Sequence, residues 1–366
     1  MPATRTGDNL TCILSPSLNV HILLKPHDPT QSQDPKTIAA LSILTMPLPI
    51  DPELRPIYEP ILAALTNKPQ LEVTDIPASR ASREAGVVQL YSRLPDVDNV
   101  LHAVYHATAS DGFAIPIHGF TPRSQPASPG PAALHFHGGG MTMGSAQTFA
   151  KPLAHMARRS GVSIYSVDYR LAPEAHGENL VEDCYAALLW LRNNASKLGI
   201  DIARVAVYGE SAGGGLAAGV ALLARDRKLS PPLAKQILIY PMLEDRGAIE
   251  DEHLEPVAFF KTVDKQLTWA ALFGDQAGNP DAPISAYAVP ARALSLADLP
   301  PAYVDVGELD IFRDECLGYT TRLVADHVPT EFHLYPGVPH AFEMLAPHIT
   351  VTMRAQENRT KALQGF

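Results

Sequence analysis

Short β-branched or apolar runs alternate with helix-like stretches from about residue 130 to the end of the chain, and no other feature limits the fold so tightly. "AALHFH" leads into a helix near 147–160, "VSIYSVDY" into the helix "NLVEDCYAALLWLRNNASKLG", and "RVAVYG" into "SAGGGLAAGVALLARDRK". "AKQILIYP" comes next, then "PAYVDVG" with the helix "RDECLGYTTRLVADH", and "TEFHLYP" with a last helical segment after "HAFEML". Strands that alternate with helices in this way form βαβ units and a mostly parallel sheet covered on both faces, an α/β fold. Just before them, "LHAVYHA" and "FAIPIHGF" alternate like half-buried strands around an "SDG" turn that could pair them antiparallel.

Two regions stand outside this rhythm. Residues 1–95 contain several prolines and little periodicity, with one helix expected in "DPELRPIYEPILAALTN". Residues 242–290 separate two strands by more than a simple crossover needs, and hold a helix-like run with Phe259, Phe260, Leu267, Trp269, Leu272 and Phe273. We read 242–290 as a lid inserted over the C-terminal edge of the sheet, with the N-terminal segment contributing to the same cap. The main body is then 96–241 together with 291–366.

A net charge of −10, with no cluster of Lys and Arg, argues against nucleic acid or an anionic membrane as the main partner. No run approaches the roughly 18 apolar residues of a membrane span. The first residues have no basic stretch leading into an apolar one, so no signal peptide is expected and a cytoplasmic protein is the default. Cys12, Cys184 and Cys316 are too few and too scattered for a disulfide framework or a zinc site. Cys184 and Cys316 sit in apolar helical contexts and are expected as buried free thiols.

The chemistry concentrates where "RVAVY" runs into "GESAGGG". Gly-x-Ser-x-Gly between a strand and a helix is the pattern of a nucleophile elbow, which projects the hydroxyl of Ser211 above the sheet. The sharp turn brings residues two before and two after the serine together, so Gly209 and Gly213 leave room where side chains would clash. The helix that begins at once turns its free N–H groups and positive dipole end toward the hydroxyl, and the amide of Ala212 can face a developing oxyanion.

A serine needs a base, and the base needs an orienting carboxylate. In the order Ser, acid, His expected of such a sheet, Asp310 lies just past the strand "PAYVDVG", with Asp305, Glu308 and Asp314 as weaker rivals. His340 lies in a loop after the last strand. His253 precedes the acids, His327 ends a helix, His333 lies inside a strand, and His348 falls well past the last strand.

A second glycine cluster, "HGGG" at 137–140, comes directly after the strand "AALHF". Glycines there let backbone N–H groups approach a carbonyl oxygen, and we assign those of Gly138 and Gly139, with Ala212, to an oxyanion hole. Each donor of this kind is worth ~3 kcal/mol in the barrier. His137 is expected to hydrogen-bond within the loop. Neither GxGxxG nor GxxxxGK[ST] occurs, so no dinucleotide or phosphate site is read, and the chemistry calls for no metal or organic cofactor.

With "HGGG" at 137–140, "DYRLAPE" at 168–174, "GESAGG" at 209–214, "GELDIFRDE" at 307–315 and "GVPHAF" at 337–342 in this order, the chain resembles the hormone-sensitive-lipase-like esterases (bacterial family IV type) of the α/β-hydrolase superfamily. The resemblance covers about 100–345. It implies an α/β-hydrolase catalytic domain over 96–241 and 291–366, a helical cap, a Ser211–His340–Asp310 triad and an oxyanion hole from Gly138, Gly139 and Ala212. It gives "YRLAPE" a structural role, which leaves Arg170 and Glu174 without chemistry. Glu210 stands where the family commonly has Asp.

The expected activity is hydrolysis of short- to medium-chain carboxylic esters, a small-molecule partner. Lactone or amide hydrolysis, or natural-product tailoring, on the same triad stays open. A receptor on this scaffold, as in plant gibberellin receptors that lack a working triad, fits poorly because all three groups are present. Met141, Phe259, Phe260 and Trp269 are candidates for an apolar substrate pocket, unless the lid aromatics are the lid's own core. Assembly as a homodimer is left open.

Overall fold

The computed structural model describes residues 47–65, 72–123, 129–247 and 250–366. Of two compact units, Met1–Thr45 lies outside these residues, together with Cys12 and the first half of the expected 1–95 segment. The elements of the described residues all lie in the unit Met46–Phe366.

Helices α1 (Arg55–Leu65) and α2 (Ile76–Tyr91) precede the hairpin β1 (Val100–Thr108) and β2 (Ala114–Pro122). Then come β3 (Gly130–Phe136), α3 (Ala150–Ser160), β4 (Ser163–Val167), α4 (Asn179–Asn193), α5 (Ala195–Leu198), β5 (Ile200–Glu210), α6 (Ala212–Asp226) and β6 (Lys235–Ile239). The chain closes with α7 (Thr262–Phe273), β7 (Ala302–Leu309), α8 (Arg313–Ala325), β8 (Thr330–Pro339), α9 (Phe342–Leu345) and α10 (Thr350–Gln364). Eight strands form one sheet in the order β1-β2-β4-β3-β5-β6-β7-β8, antiparallel over β1, β2 and β4 and parallel from there on. Every residue of β4 is buried and β7 is nearly so, the signature of strands covered on both faces.

Two details depart from the sequence reading. The helix expected over 179–199 breaks after Asn193, where the Asn194 side chain donates to Trp190 O, and resumes as α5 up to the left-handed Gly199. Helix α2 has no counterpart among the expected elements. Of its described side chains only Ile76 is buried, so there is no apolar stripe to read.

The apolar interior has two parts. The larger surrounds the sheet and includes Trp269 of α7. The smaller joins Leu54 and Tyr58 of the N-terminal segment, Leu254 and Val257 of the 242–290 segment, and Tyr335, Val338 and Phe342 around the end of β8. Tyr58 Oη donates to Val257 O at 2.8 Å, and Asp51 N donates to Gly337 O at 2.8 Å, so three distant stretches of sequence meet beside the His340 loop. No helix among the described residues is long and apolar enough to cross a membrane.

Candidate active site

Strand register decides which loops meet. β3 and β5 pair in parallel with Phe136 opposite Gly209, so the glycine loop and the nucleophile turn leave the sheet side by side. β7 and β8 pair with Leu309 opposite Pro339, so Asp310 and His340 also emerge together, one residue beyond the last matched pair. A single strand, β6, separates the two pairs.

The turn itself is dictated by sterics. Ser211 adopts φ +58° and ψ −124°, a region that a side chain rarely occupies. A Cβ on Gly213 would stand 1.9 Å from Phe136 O, and one on Gly209 would stand 2.2 Å from Gly213 O. Backbone bonds pin the conformation: Ser211 N donates to Ile239 O at 2.8 Å, and Ser211 O accepts from Met242 N at 3.0 Å and Gly215 N at 3.1 Å.

The three polar groups converge. His340 Nε2 lies 3.0 Å from Ser211 Oγ, and His340 Nδ1 lies 2.7 Å from Asp310 Oδ2. Asp310 is fully buried, and its other oxygen accepts from Phe312 N at 2.9 Å. Three rings confine the imidazole: Tyr240 edge-on at 4.5 Å, Phe312 edge-on at 5.2 Å and Phe260 tilted at 5.9 Å. The rival acids are engaged elsewhere. Asp305 is held by both arms of Arg359 and by Tyr303 Oη, Glu308 accepts from Gly337 N, and Asp314 pairs with Arg313. Among the rival bases, His333 pairs with Glu331 and His253 with Glu252.

The glycine loop places its three amides differently. Gly138 N donates to Glu210 Oε1 at 3.3 Å. The amides of Gly139 and Gly140 donate to no protein group among the described residues, and Ala212 opens α6, where an N–H has no partner within the helix. His137 ties the loop together: its Nδ1 donates to Gly138 O at 2.9 Å, and its ring stacks on Tyr169 at 4.3 Å. Burial lowers its pKa and favours the neutral imidazole, against the opposing pull of the Gly138 carbonyl.

Helix α2 reaches this loop from outside. Arg80 donates to Thr142 O at 2.8 Å and Ala172 O at 3.1 Å and forms a two-pronged pair with Glu174, while Glu84 accepts from Gly144 N at 2.7 Å. Glu174 thus clasps the N-terminal segment, and Arg170 grips the buried Asp183 and the exposed Asp111. Of the pocket candidates, Phe260 stands beside His340 and Met141 is buried with its methyl near Gly215. Phe259 packs against the smaller apolar cluster, and Trp269 is fully buried against Phe273. Lys265 of α7 forms a buried ion pair with Glu315 of α8, whose other oxygen accepts from Leu243 N at 2.7 Å. A separate cavity of about 390 Å³ opens behind the turn, lined among others by Tyr208, Glu210, Ile239 and Met344 but not by Ser211 or His340.

Sequence reasoning misses Tyr240, whose hydroxyl donates to Glu343 while its ring braces His340. It also misses the reach of Arg80 and Glu84. Nothing local in the sequence signals either, because both depend on contacts between distant segments.

Comparison with known proteins agrees with this fold. The family model for the alpha/beta hydrolase fold matches residues 133–344. The esterase LipI of Mycobacterium tuberculosis is 33% identical over 319 residues, covering 85% of this chain and 95% of its own. The carboxylesterase NlhH of the same organism is 32% identical over 64% of this chain and 73% of its own. Among solved structures, a bacterial heroin esterase is 36% identical and superposes with a TM-score of 0.76 over 86% of this chain and 97% of its own.

Proposed function

We infer, from a chain that belongs to the α/β-hydrolase-fold family, among its hormone-sensitive-lipase-like esterases, and is a carboxylic ester hydrolase, that Ser211, His340 and Asp310 carry the hydrolysis through an acyl-enzyme. The observation that carries this reading is the unbroken relay from Ser211 Oγ through both ring nitrogens of His340 to Asp310. Ser211 Oγ attacks the ester carbonyl while His340 Nε2 accepts its proton. The tetrahedral oxyanion is met by the amides of Gly139, Gly140 and Ala212. His340 then protonates the departing alkoxide, and water activated by the same nitrogen hydrolyses the acyl-enzyme. Asp310 keeps the proton on Nδ1 and balances the imidazolium charge.

The cap belongs to this proposal. Phe260 of the 242–290 segment lies against His340, and Tyr58 of the N-terminal segment bonds to Val257 of that same segment, which supports reading both segments as the site's cover. Phe260 beside His340 and Met141 beside Gly215 set apolar groups close to the nucleophile, which supports short- to medium-chain acyl groups. The buried free thiols Cys184 and Cys316 suit a reducing cytoplasm.

A panel of p-nitrophenyl esters from acetate to palmitate, with Ser211→Ala as control, tests the reading. The wild type should turn over acetate to octanoate fastest, and the variant should lose turnover by about 10⁵-fold or more while keeping its fold. A palmitate optimum contradicts the chain-length assignment, and near-normal turnover by the variant contradicts the nucleophile.

A further inference from the structure

The carboxylate that precedes the nucleophile has no part in the proton relay, yet it touches both halves of the site. Glu210 Oε2 lies 2.8 Å from His135 Nε2, and Oε1 accepts from Gly138 N at 3.3 Å. His135, fully buried, reaches Ser166 Oγ at 2.9 Å with its other nitrogen. With Nε2–H donating to Glu210 and Nδ1 accepting from the serine hydroxyl, one neutral tautomer satisfies the whole chain of bonds. His135 stands on β3, two residues before the glycine loop, and Glu210 ends β5, one residue before Ser211.

We propose that Glu210 is a positioning residue for the oxyanion hole, its side chain spanning from the nucleophile turn to His135 and Gly138 and so fixing the Gly139 and Gly140 amides relative to Ser211 Oγ. The two loops also pack closely: a Cβ on Gly138 would meet Glu210 O at 3.2 Å and Ser211 Cβ at 3.5 Å. Among the described residues no other hydrogen bond ties the Gly138 amide to the turn. The role needs the hydrogen-bonding oxygen and the length of the side chain. It does not need the negative charge, which separates it from an electrostatic role in which the carboxylate favours the His340 imidazolium.

The inference rests on the acyl-enzyme reading, and two variants separate them. Glu210→Gln keeps length and, without charge, an oxygen to accept from Gly138 N, while its amide NH₂ donates to His135 Nε2 once that ring takes its other neutral tautomer and donates from Nδ1 to Ser166 Oγ. Glu210→Ala keeps neither, and water from the cavity that Glu210 lines can enter in its place. The measurements are kcat and KM on p-nitrophenyl butyrate, the pH profile of kcat/KM, and the inhibition constant of an alkyl trifluoromethyl ketone, whose adduct places an oxyanion in the hole. Labelling of Ser211 by a phosphonate in the wild type checks the underlying reading independently.

Glu210→Ala should lower kcat about 30-fold or more with KM within threefold, and weaken the ketone by a similar factor. Glu210→Gln should stay within about threefold of wild type in both, with its acidic limb unmoved. Should the Ala variant fail to fold, Glu210→Met, which preserves volume but neither bond, carries the same expectation. A Gln variant as impaired as Ala, with the acidic limb shifted, assigns the role to charge and overturns the proposal. So does an Ala or Met variant with unchanged kcat and ketone affinity.

Discussion

The nucleophile turn and helix α2 flank the glycine loop, and they are held in place by opposite means. At the turn the holding is done by backbone: two glycines packed against carbonyl oxygens, a serine at positive φ, and short strand-to-strand bonds. At α2 it is done by the ends of long side chains, Arg80 and Glu84, on a helix that buries almost nothing of its own. Helix α7 keeps to the second pattern, with Lys265 reaching Glu315 across to α8. Backbone packing tolerates no added atom. Side-chain anchoring can be lost one contact at a time.

The largest effect should come from adding one methyl group at the turn. Gly213→Ala places a carbon 1.9 Å from Phe136 O, where only backbone movement makes room. We expect a loss of about 3 kcal/mol or more of stability together with loss of activity, read by thermal unfolding and ester turnover. A variant with near-normal melting and turnover breaks the contrast between the two regions.

Lys265→Met should be intermediate and depend on pH. Burial pushes the Glu315 carboxyl up to about 7, although the Lys265 ammonium beside it pulls the other way. A folded-state pKa above the ordinary value of 4.5 means the folded chain keeps a proton that the unfolded chain has released. The stability from this group is therefore complete below about 4.5 and lost as pH rises to about 7. Without the ammonium the carboxyl holds its proton to higher pH still, so the loss extends above 7. The variant should be destabilised by about 3 kcal/mol at pH 8.5 and by less at pH 6, measured as melting temperature against pH. Equal destabilisation at both values removes the buried pair from the account of how α7 is held.

Arg80→Ala should have the smallest effect. It removes a partly exposed ion pair and two bonds to loop carbonyls, worth about 1–2 kcal/mol together. Because Thr142 O lies just past Gly140, a several-fold fall in kcat/KM should accompany it. Loss of stability with unaltered kinetics assigns α2 to scaffolding alone.

The same contrast explains what is legible in the chain. Sequence order and strand ends locate Ser211, Asp310 and His340 because each sits one residue past a strand, and parallel register carries that placement into space. Asp305 is set aside as lying within a strand, and its true partner, Arg359 on the last helix, is invisible from its neighbours. The Gly138 bond to Glu210 is not legible either, because the direction of an N–H in a glycine run depends on what it meets, here a carboxylate from another strand. Helix α2 escapes notice because a helix anchored by Arg and Glu tips leaves no apolar period. The break after Asn193 is hidden for a similar reason: an asparagine side chain capping the preceding turn looks like ordinary helical sequence.

The most direct test of the catalytic account is stoichiometric inactivation by an alkyl p-nitrophenyl phosphonate, with mass mapping of the labelled peptide. One equivalent should abolish esterase activity and appear as a single adduct on Ser211, with Asp310→Asn slowing the labelling by orders of magnitude. An adduct on another residue, or full activity remaining after Ser211 is labelled, contradicts it.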